Sequence, residues 1–192
     1  MSFPQPIATN RSATGIPTGK LAIWIVLASE IVIFGGLLVS YIMYRLVHDS
    51  WSEEAANTNV YLGTINTLIL LSSSLSAVLA HNAVEHNDKD KAFKYLWFTI
   101  LGGLMFLCVK SYEWSYEIGA GFVMTKSLFW AFYYTAAGIH AIHVIGGIII
   151  MGIISIDLKK GVNMHRVELI GIYWHFVDIV WIFLFPLLYI AK

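Results

Sequence analysis

The chain has 192 residues, of which 58% are apolar and only 12% are charged, and its formal net charge is zero. Soluble domains carry about 25% charged residues, so this composition excludes an ordinary soluble protein and indicates a membrane protein. The balanced charge, without a basic cluster, argues against nucleic acid as a partner. The single cysteine, Cys108, excludes an internal disulfide.

The first 20 residues are predicted to form a polar segment outside the membrane. They contain Pro4, Pro6 and Pro17, and Arg11 is the one charge before Lys20. The segment lacks the short apolar core and the small-residue cleavage site of a signal peptide, so the first apolar run is expected to stay attached. Residues 21–192 are expected to form a single membrane domain.

Five apolar runs are long enough to span a membrane, which requires about 20 residues in a helix. The joining segments are short and hold most of the charge, and no internal repeat of the transporter type is visible. We therefore predict an all-α, polytopic membrane protein in which five helices form one bundle. The spans, numbered one to five, cover approximately residues 21–44, 61–84, 93–112, 127–156 and 168–190.

The positive charges of the loops predict the orientation of this bundle. With the N-terminus inside, eight Lys and Arg residues lie on the inner side and four on the outer side. The positive-inside rule then favours a cytoplasmic N-terminus and a periplasmic C-terminus. The inner residues are Arg11, Lys20, Lys89, Lys91, Lys94, Lys159, Lys160 and Arg166, and the outer ones are Arg45, Lys110, Lys126 and Lys192.

Ionisable side chains occur at similar depths in three of the spans. Glu30 lies about 14 Å into span one and Asp178 about 15 Å into span five, at 1.5 Å per residue. His140 and His143 lie near the middle of span four, three residues apart and thus on one face. His175 has the same spacing from Asp178. These residues predict a polar layer at mid-membrane that spans one, four and five share.

Three interpretations of this layer remain open from the residues alone. Histidines and carboxylates can ligate a metal or heme, although the chain lacks the paired histidines near both membrane faces that a diheme bundle needs. Intramembrane acids can also form a proton or ion path. The third interpretation, which we favour, is a set of buried hydrogen bonds that lock the helices together.

Polar residues at the two ends of the spans are predicted to have different roles. At the inner end of span two, His81, Glu85 and His86 form a titratable cluster that either collects protons or is a solvated loop. At the outer end of span three, Glu113 and Glu117 are interpreted as structural. Their expected partners are Lys110 or Lys126.

Small residues are predicted to allow close helix packing in the membrane. They recur four residues apart or as glycine pairs. The positions are Gly36 with Ser40, Ala137 with Ala141, Gly102–Gly103 and Gly146–Gly147.

Five motifs in order resemble subunit III of the heme-copper respiratory oxidases. The most specific is Tyr-Trp-His-Phe-Val-Asp-Ile-Val-Trp over residues 173–181, which resembles the last helix of that family. Residues 21–44 resemble its first common helix, with Glu30 at the family's intramembrane glutamate. The other three motifs are residues 65–88, residues 110–114 and residues 127–147.

The resemblance implies an accessory subunit without a catalytic centre, in a proton-pumping cytochrome c oxidase of aerobic respiration. Heme and copper would belong to partner subunits and none to this chain. Subunit I is the expected direct partner, with subunits II and IV and a respiratory supercomplex as further partners. Five helices instead of seven indicate the bacterial form, in the inner membrane. The resemblance also implies bound phospholipid, with Lys159, Lys160 and Arg166 as headgroup candidates.

Other functions are weighed beside this one. The same subunit in a quinol oxidase, or an accessory subunit of a related nitric oxide reductase, is the near alternative. A stand-alone membrane heme protein and an ion transporter are alternatives of a different class. Motifs for nucleotide binding, nucleophilic hydrolysis or CxxC chemistry do not occur in the sequence.

Overall fold

A computed structural model describes residues 15–48 and 51–190, and the secondary structure of this part of the chain is helical. Five of its helices, one of them extended by a π-helical turn, are long and apolar enough to cross a membrane, which confirms the predicted all-α, multi-pass class. The elements are α1 (Thr18–Val47), α2 (Trp51–Ala55), α3 (Val60–Glu85), α4 (Lys89–Gly119), α5 (Leu128–Lys160), α6 (Arg166–Phe185) and the π-helical turn Pro186–Ile190.

The observed helices are longer than the predicted spans. The largest correction concerns span three, predicted at residues 93–112, because α4 continues to Gly119. The sequence predicts its charged residues at the membrane interface, but Lys110 and Glu113 form an ion pair buried inside the bundle. The short helix α2 was not predicted. Most of the predicted polar segment 1–20 lies outside the described residues, and α1 already begins at Thr18.

Side-chain caps explain where several of the helices begin. The Asn59 side chain accepts hydrogen bonds from the backbone N–H groups of Tyr61 and Leu62 at the start of α3. Asp88 accepts from the Lys91 N–H at the start of α4. Such caps satisfy backbone donors that have no partner within the helix. Gly161 ends α5 in the left-handed conformation, with φ of 69°.

Helices α3 to α6 form a four-helix ring, and α1 lies outside it. Within the ring, α3 packs on α4 and α6, and α5 packs on the same two helices. α1 contacts α5 and α6, and only 11% of its most apolar window is buried, against 44% for the last helix. Large side chains such as Val32, which is 74% exposed, therefore cover its outer surface.

Glycines form a slot for one tryptophan in the centre of the ring. A Cβ atom on Gly103 or on Gly147 would lie 2.8 Å from the Trp174 ring. The indole Nε1–H of Trp174 donates to Ser73 Oγ at 3.0 Å, so the ring is held in the slot. Gly102 approaches Ser73 equally closely. These contacts confirm the predicted close packing at both members of the first glycine pair and at Gly147.

The other small residues behave differently. Ala137 and Ala141 are buried, as predicted. The prediction is wrong for Gly36 and Ser40 within this chain, since both are exposed on α1 and a Cβ on Gly36 would meet no atom within 4 Å. The reason is the position of α1 outside the ring, which leaves that face without a partner helix among residues 15–48 and 51–190.

The bundle has two ends, which we name by the direction of α1. The N-terminal end holds the starts of α1, α4 and α6 and the ends of α3 and α5. Lys20 and Glu168 form an ion pair there, with 2.5 Å between Nζ and Oε1. The C-terminal end holds α2, the starts of α3 and α5, and the turn Pro186–Ile190. The Tyr41 hydroxyl donates to the Leu187 carbonyl there at 2.6 Å.

Candidate functional site

A carboxylate and a histidine join α1 to α5 in the middle of the bundle. Glu30 Oε2 lies 2.9 Å from His143 Nε2, and the two side chains are 16% and 18% exposed. His143 Nδ1 faces the Ile139 carbonyl at 2.8 Å. Both ring nitrogens therefore face oxygen atoms, one on α1 and one on α5 itself, which fixes the orientation of the ring.

His140 has quite different surroundings. It is fully buried, and its ring centroid lies 5.4 Å from that of Phe106 and 5.1 Å from that of Trp181. Neither ring nitrogen has a hydrogen-bond partner within residues 15–48 and 51–190. The sequence predicts one face of α5 for His140 and His143, but the two side chains contact different helices. His143 faces α1, whereas His140 lies among aromatic rings of α4 and α6.

His175 turns toward α3 and not toward α1, and Asp178 is buried one turn further along α6. His175 Nδ1 lies 2.6 Å from Ser74 Oγ, a contact between α6 and α3. Asp178 is 3% exposed, and its two oxygens have no hydrogen-bond partner in the described part of the chain. The single polar layer expected for spans one, four and five is therefore divided into a Glu30–His143 contact and a separate group beside α3.

A buried lysine forms the most extensive polar cluster, near the C-terminal end. Lys110 is 2% exposed, and its Nζ donates to Glu113 Oε2 at 3.0 Å, to the Tyr133 hydroxyl at 2.9 Å and to the Tyr189 hydroxyl. The Tyr133 hydroxyl in turn donates to Glu117 Oε1 at 3.0 Å. We call these five residues the Lys110 cluster.

The Lys110 cluster was only partly predicted from the sequence. The pairing of Glu113 with Lys110 is confirmed. Lys126 is not a partner, since its Nζ lies 3.8 Å from the centroid of the Phe122 ring at the surface. The burial of the cluster and its two tyrosines were missed. The available signal was the spacing of Lys110, Glu113 and Glu117 by three and four residues, which places all three on one helix face.

The predicted residues of the N-terminal end are spread over two locations. His81 Nε2 lies 3.5 Å from Glu85 Oε1 at the end of α3, and His86 is exposed beside them. On the other side, Arg166 pairs with Asp157 at 2.8 Å and Lys159 lies over the Phe93 ring at 4.5 Å. Lys160 is exposed.

His165, at the start of α6, gives this end a predicted pH dependence. Burial of its ring lowers its pKa below the ordinary 6.5, and the neighbouring Arg166 lowers it further, against a smaller opposite effect of Glu168. The unfolded state then takes up the proton first as the pH falls. We therefore expect the free energy of unfolding to decrease as the pH drops below about 6.5. The decrease should end once the pH is also below the pKa of His165 in the folded state.

The check is an NMR titration of the histidine ring protons. His165 should titrate below 6.5. The variant His165→Gln should lose less stability on acidification than the native chain, because the contribution of His165 is absent. His86→Gln, which changes an exposed histidine at the same end, is the matched control and should lose as much stability on acidification as the native chain. An unchanged acid profile for His165→Gln would contradict the expectation.

No group of three or more His, Cys, Asp or Glu side chains that could hold a metal ion occurs among the residues that the structure describes. The polar residues instead contact one another, hydroxyl groups and aromatic rings, across pairs of neighbouring helices. Such contacts orient helices and can hold protons within the membrane.

Comparison with known proteins identifies the family of this five-helix bundle. Residues 8–192 match the family model for cytochrome c oxidase subunit III. The chain belongs to the cytochrome c oxidase subunit III family. The resemblance stated from the five motifs is thereby confirmed, and the chain is an accessory subunit of a heme-copper terminal oxidase.

Relatives of this subunit III family occur in diverse organisms. Cytochrome c oxidase subunit 3 of Thermostichus vulcanus is 36% identical over 175 residues, which cover 88% of this chain and 86% of the relative. The Corynebacterium diphtheriae protein of the same name is 30% identical over 199 residues, covering 100% and 96%. A heme-copper oxidase subunit I+III of Aeropyrum pernix is 31% identical over 183 residues, covering 90% of this chain and 22% of the relative.

Proposed function

We propose that this chain packs directly beside subunit I of a proton-pumping cytochrome c oxidase, stabilises it, and supports proton uptake during aerobic respiration. The observation that carries the proposal is the family match over residues 8–192. The chemistry of oxygen reduction, with heme and copper, belongs in this proposal to the partner subunits. Subunits II and IV and a respiratory supercomplex are further proposed partners.

Direct contact with subunit I is supported by one relative and by the exposure of α1. The Aeropyrum pernix relative is named as subunits I and III together, and this chain matches 22% of its length. A fused chain keeps its two parts close to each other. In this chain α1 has small residues, Gly36 and Ser40, on its exposed surface, where another helix can approach closely.

Charge supports a cytoplasmic location of the N-terminal end. Among the described residues, that end holds seven Lys and Arg residues, whereas the C-terminal end holds Arg45, Lys126 and the buried Lys110. The buried lysine is neutralised within the bundle and does not act as a loop charge. The positive-inside rule then favours the cytoplasm for residues 1–20 and the periplasm for the C-terminus, in a bacterial inner membrane.

A role in proton uptake is supported by the side chains at the N-terminal end. His81, Glu85 and His86 lie at the end of α3, at the proposed cytoplasmic surface. Histidine is the side chain type that ordinarily changes charge near neutral pH, and a negative carboxylate attracts protons to a surface. In this proposal they collect protons for subunit I, while the polar contacts at mid-membrane keep the helices in register.

Substitution of the intramembrane acids tests this proposal. We expect Glu30→Ala or Asp178→Asn to weaken assembly or to slow proton uptake, and to leave every heme and copper signal of the complex intact. The cost to stability should be modest, since hydrogen bonds between membrane helices contribute about 0.6 kcal/mol on average. Stopped-flow proton uptake and an optical spectrum of the purified complex measure the two effects.

Ser29→Ala, on the exposed side of α1, is the matched control for these variants. Its hydroxyl donates to the Val26 carbonyl of its own helix, so proton uptake should not change. Loss of a heme or copper signal with subunit I present in full amount would contradict the accessory role.

A phospholipid is proposed in the groove between α3 and α4. An apolar cavity of about 680 Å³ lies along these helices at mid-membrane, and a cavity of about 340 Å³ with several polar lining residues lies at the N-terminal end. Both are lined by Leu79 and Tyr95, so they form one groove. The apolar part suits an acyl chain, and His86 and Lys91 in the polar part suit its phosphate.

The electron donor is proposed to be cytochrome c, because the bacterial relatives are named cytochrome c oxidase subunits. A quinol oxidase or a nitric oxide reductase is the alternative assembly. A copper signal in the subunit II that purifies with this chain supports cytochrome c, and a subunit II without copper supports quinol.

A further inference from the structure

The Lys110 cluster contains more negative than positive charge. Its ionisable groups are one lysine and two carboxylates, Glu113 and Glu117, and these three residues are between 1% and 3% exposed. With all three ionised the formal sum is one negative charge. Two tyrosine hydroxyls complete the cluster and add no positive charge. A buried charge without a counter-charge is strongly unfavourable.

Each carboxylate of the cluster also has an oxygen without a hydrogen bond. Lys110 bonds only Oε2 of Glu113, and Tyr133 bonds only Oε1 of Glu117. The remaining oxygens, Glu113 Oε1 and Glu117 Oε2, have no partner within the part of the chain that the structure describes. Lys110 cannot serve them, since its three donors are already used by Glu113, Tyr133 and Tyr189.

A cavity of about 340 Å³ at the C-terminal end of the bundle adjoins these two carboxylates. Both Glu113 and Glu117 line it, opposite the segment that joins α2 to α3. The side chains of Asn57, Thr58 and Asn59 also line the cavity, and each carries an oxygen atom. The volume equals that of roughly ten water molecules at about 30 Å³ each, so it holds a cation together with part of its hydration shell.

We propose that this cavity binds one monovalent cation, which neutralises the surplus carboxylate of the Lys110 cluster. The donors are hard oxygen atoms, which suit alkali metal ions better than transition metals. The formal surplus is one charge, which matches one monovalent ion. The start of α3 at Val60 borders the cavity, but a helix dipole supplies only about half a positive charge and cannot replace the ion.

The test compares cations on the purified oxidase complex that contains this chain. Sodium, potassium and N-methylglucamine chlorides are compared at constant ionic strength, the last as an organic cation that oxygen atoms cannot coordinate as they do an alkali metal ion. The readout is the temperature at which this subunit leaves the detergent-solubilised complex. For the native chain we expect this temperature to rise by several degrees with sodium or potassium and to saturate.

The variant Glu117→Gln removes the surplus charge and keeps an oxygen for the Tyr133 hydroxyl. We expect its dissociation temperature to be independent of the cation, and equilibrium dialysis with radioactive sodium to show one bound ion fewer per complex. The matched control is Glu53→Gln, an exposed carboxylate at the same end, which should keep the sodium dependence. Asn57→Leu removes one cavity oxygen outside the cluster and should shift the dependence to higher sodium concentrations.

Three results would overturn the proposal. The first is a native complex that responds to sodium, potassium and N-methylglucamine alike. The second is a Glu117→Gln complex that keeps both the sodium dependence and the bound ion. The third is a native complex whose dissociation temperature does not depend on the cation, together with a Glu117→Gln subunit that dissociates in every salt. That result would mean that a Lys or Arg of a partner subunit neutralises Glu117.

Discussion

Replacing Lys110 with methionine is expected to destabilise the chain by about 3–5 kcal/mol, the cost of removing one partner from a buried ion pair. The methionine fills a similar volume but leaves Glu113 and Glu117 buried without a positive charge. The hydroxyls of Tyr133 and Tyr189 also lose a donor. The measurement is the fraction of chain that stays folded and assembled as temperature or denaturant rises.

Two further variants separate charge from packing in this prediction. Lys126→Met removes an exposed lysine near the same end of the bundle and should change stability little. The double variant Lys110→Met with Glu113→Gln removes both partners of the closest ion pair, so it should be more stable than Lys110→Met alone. Equal stability of Lys110→Met and the native chain would contradict the buried cluster.

Gly147→Ala is expected to destabilise the ring of helices by about 1–3 kcal/mol, as overpacking of a core does. The added methyl group would lie 2.8 Å from the rigid indole ring of Trp174. That ring is held in place, because its Nε1–H donates to Ser73 Oγ and its edge packs against the backbone at Gly103, where a Cβ atom would also lie 2.8 Å away. Either α5 or α6 must therefore move. Thermal unfolding of the purified chain or complex measures the effect.

Gly152→Ala is the matched control on the same helix. A Cβ atom there would meet no atom within 4 Å, so only the better helix propensity of alanine acts. Its stability should stay the same or increase by up to about 1 kcal/mol. Equal effects of the two substitutions would contradict the slot for Trp174.

The number and order of the membrane helices were predictable because each span is an apolar run of sufficient length. The family was predictable for a different reason: its motifs combine rare intramembrane residues, such as Glu30 and Asp178, in a fixed order. Neither argument requires knowledge of which helices touch. The burial of Ala137 and Ala141 also followed from their spacing of four residues, whereas the same spacing failed for Gly36 and Ser40, because α1 lies outside the ring.

The pairing of polar groups depended on helix neighbours and was only partly predictable. The depth of Glu30 and Asp178 in their spans predicted that both lie at one level of the membrane. It could not predict on which side of the bundle each side chain lies. In the structure α1 lies outside the ring and reaches His143, whereas Asp178 is buried on α6 without a hydrogen-bond partner among the described residues. The position of Lys110 was mispredicted for the same reason. Its charge indicated the membrane interface, but in the structure it is buried beside its carboxylate and tyrosine partners.

Purification of the chain from its native membrane, through a tag and in mild detergent, tests the central claim most directly. The eluate is examined by optical spectroscopy and by mass spectrometry of the proteins that accompany the chain. We predict co-purification with a large heme-bearing subunit I and heme absorption bands. A chain that elutes alone and colourless, while subunit I stays assembled elsewhere in the membrane, would contradict an accessory role in the oxidase.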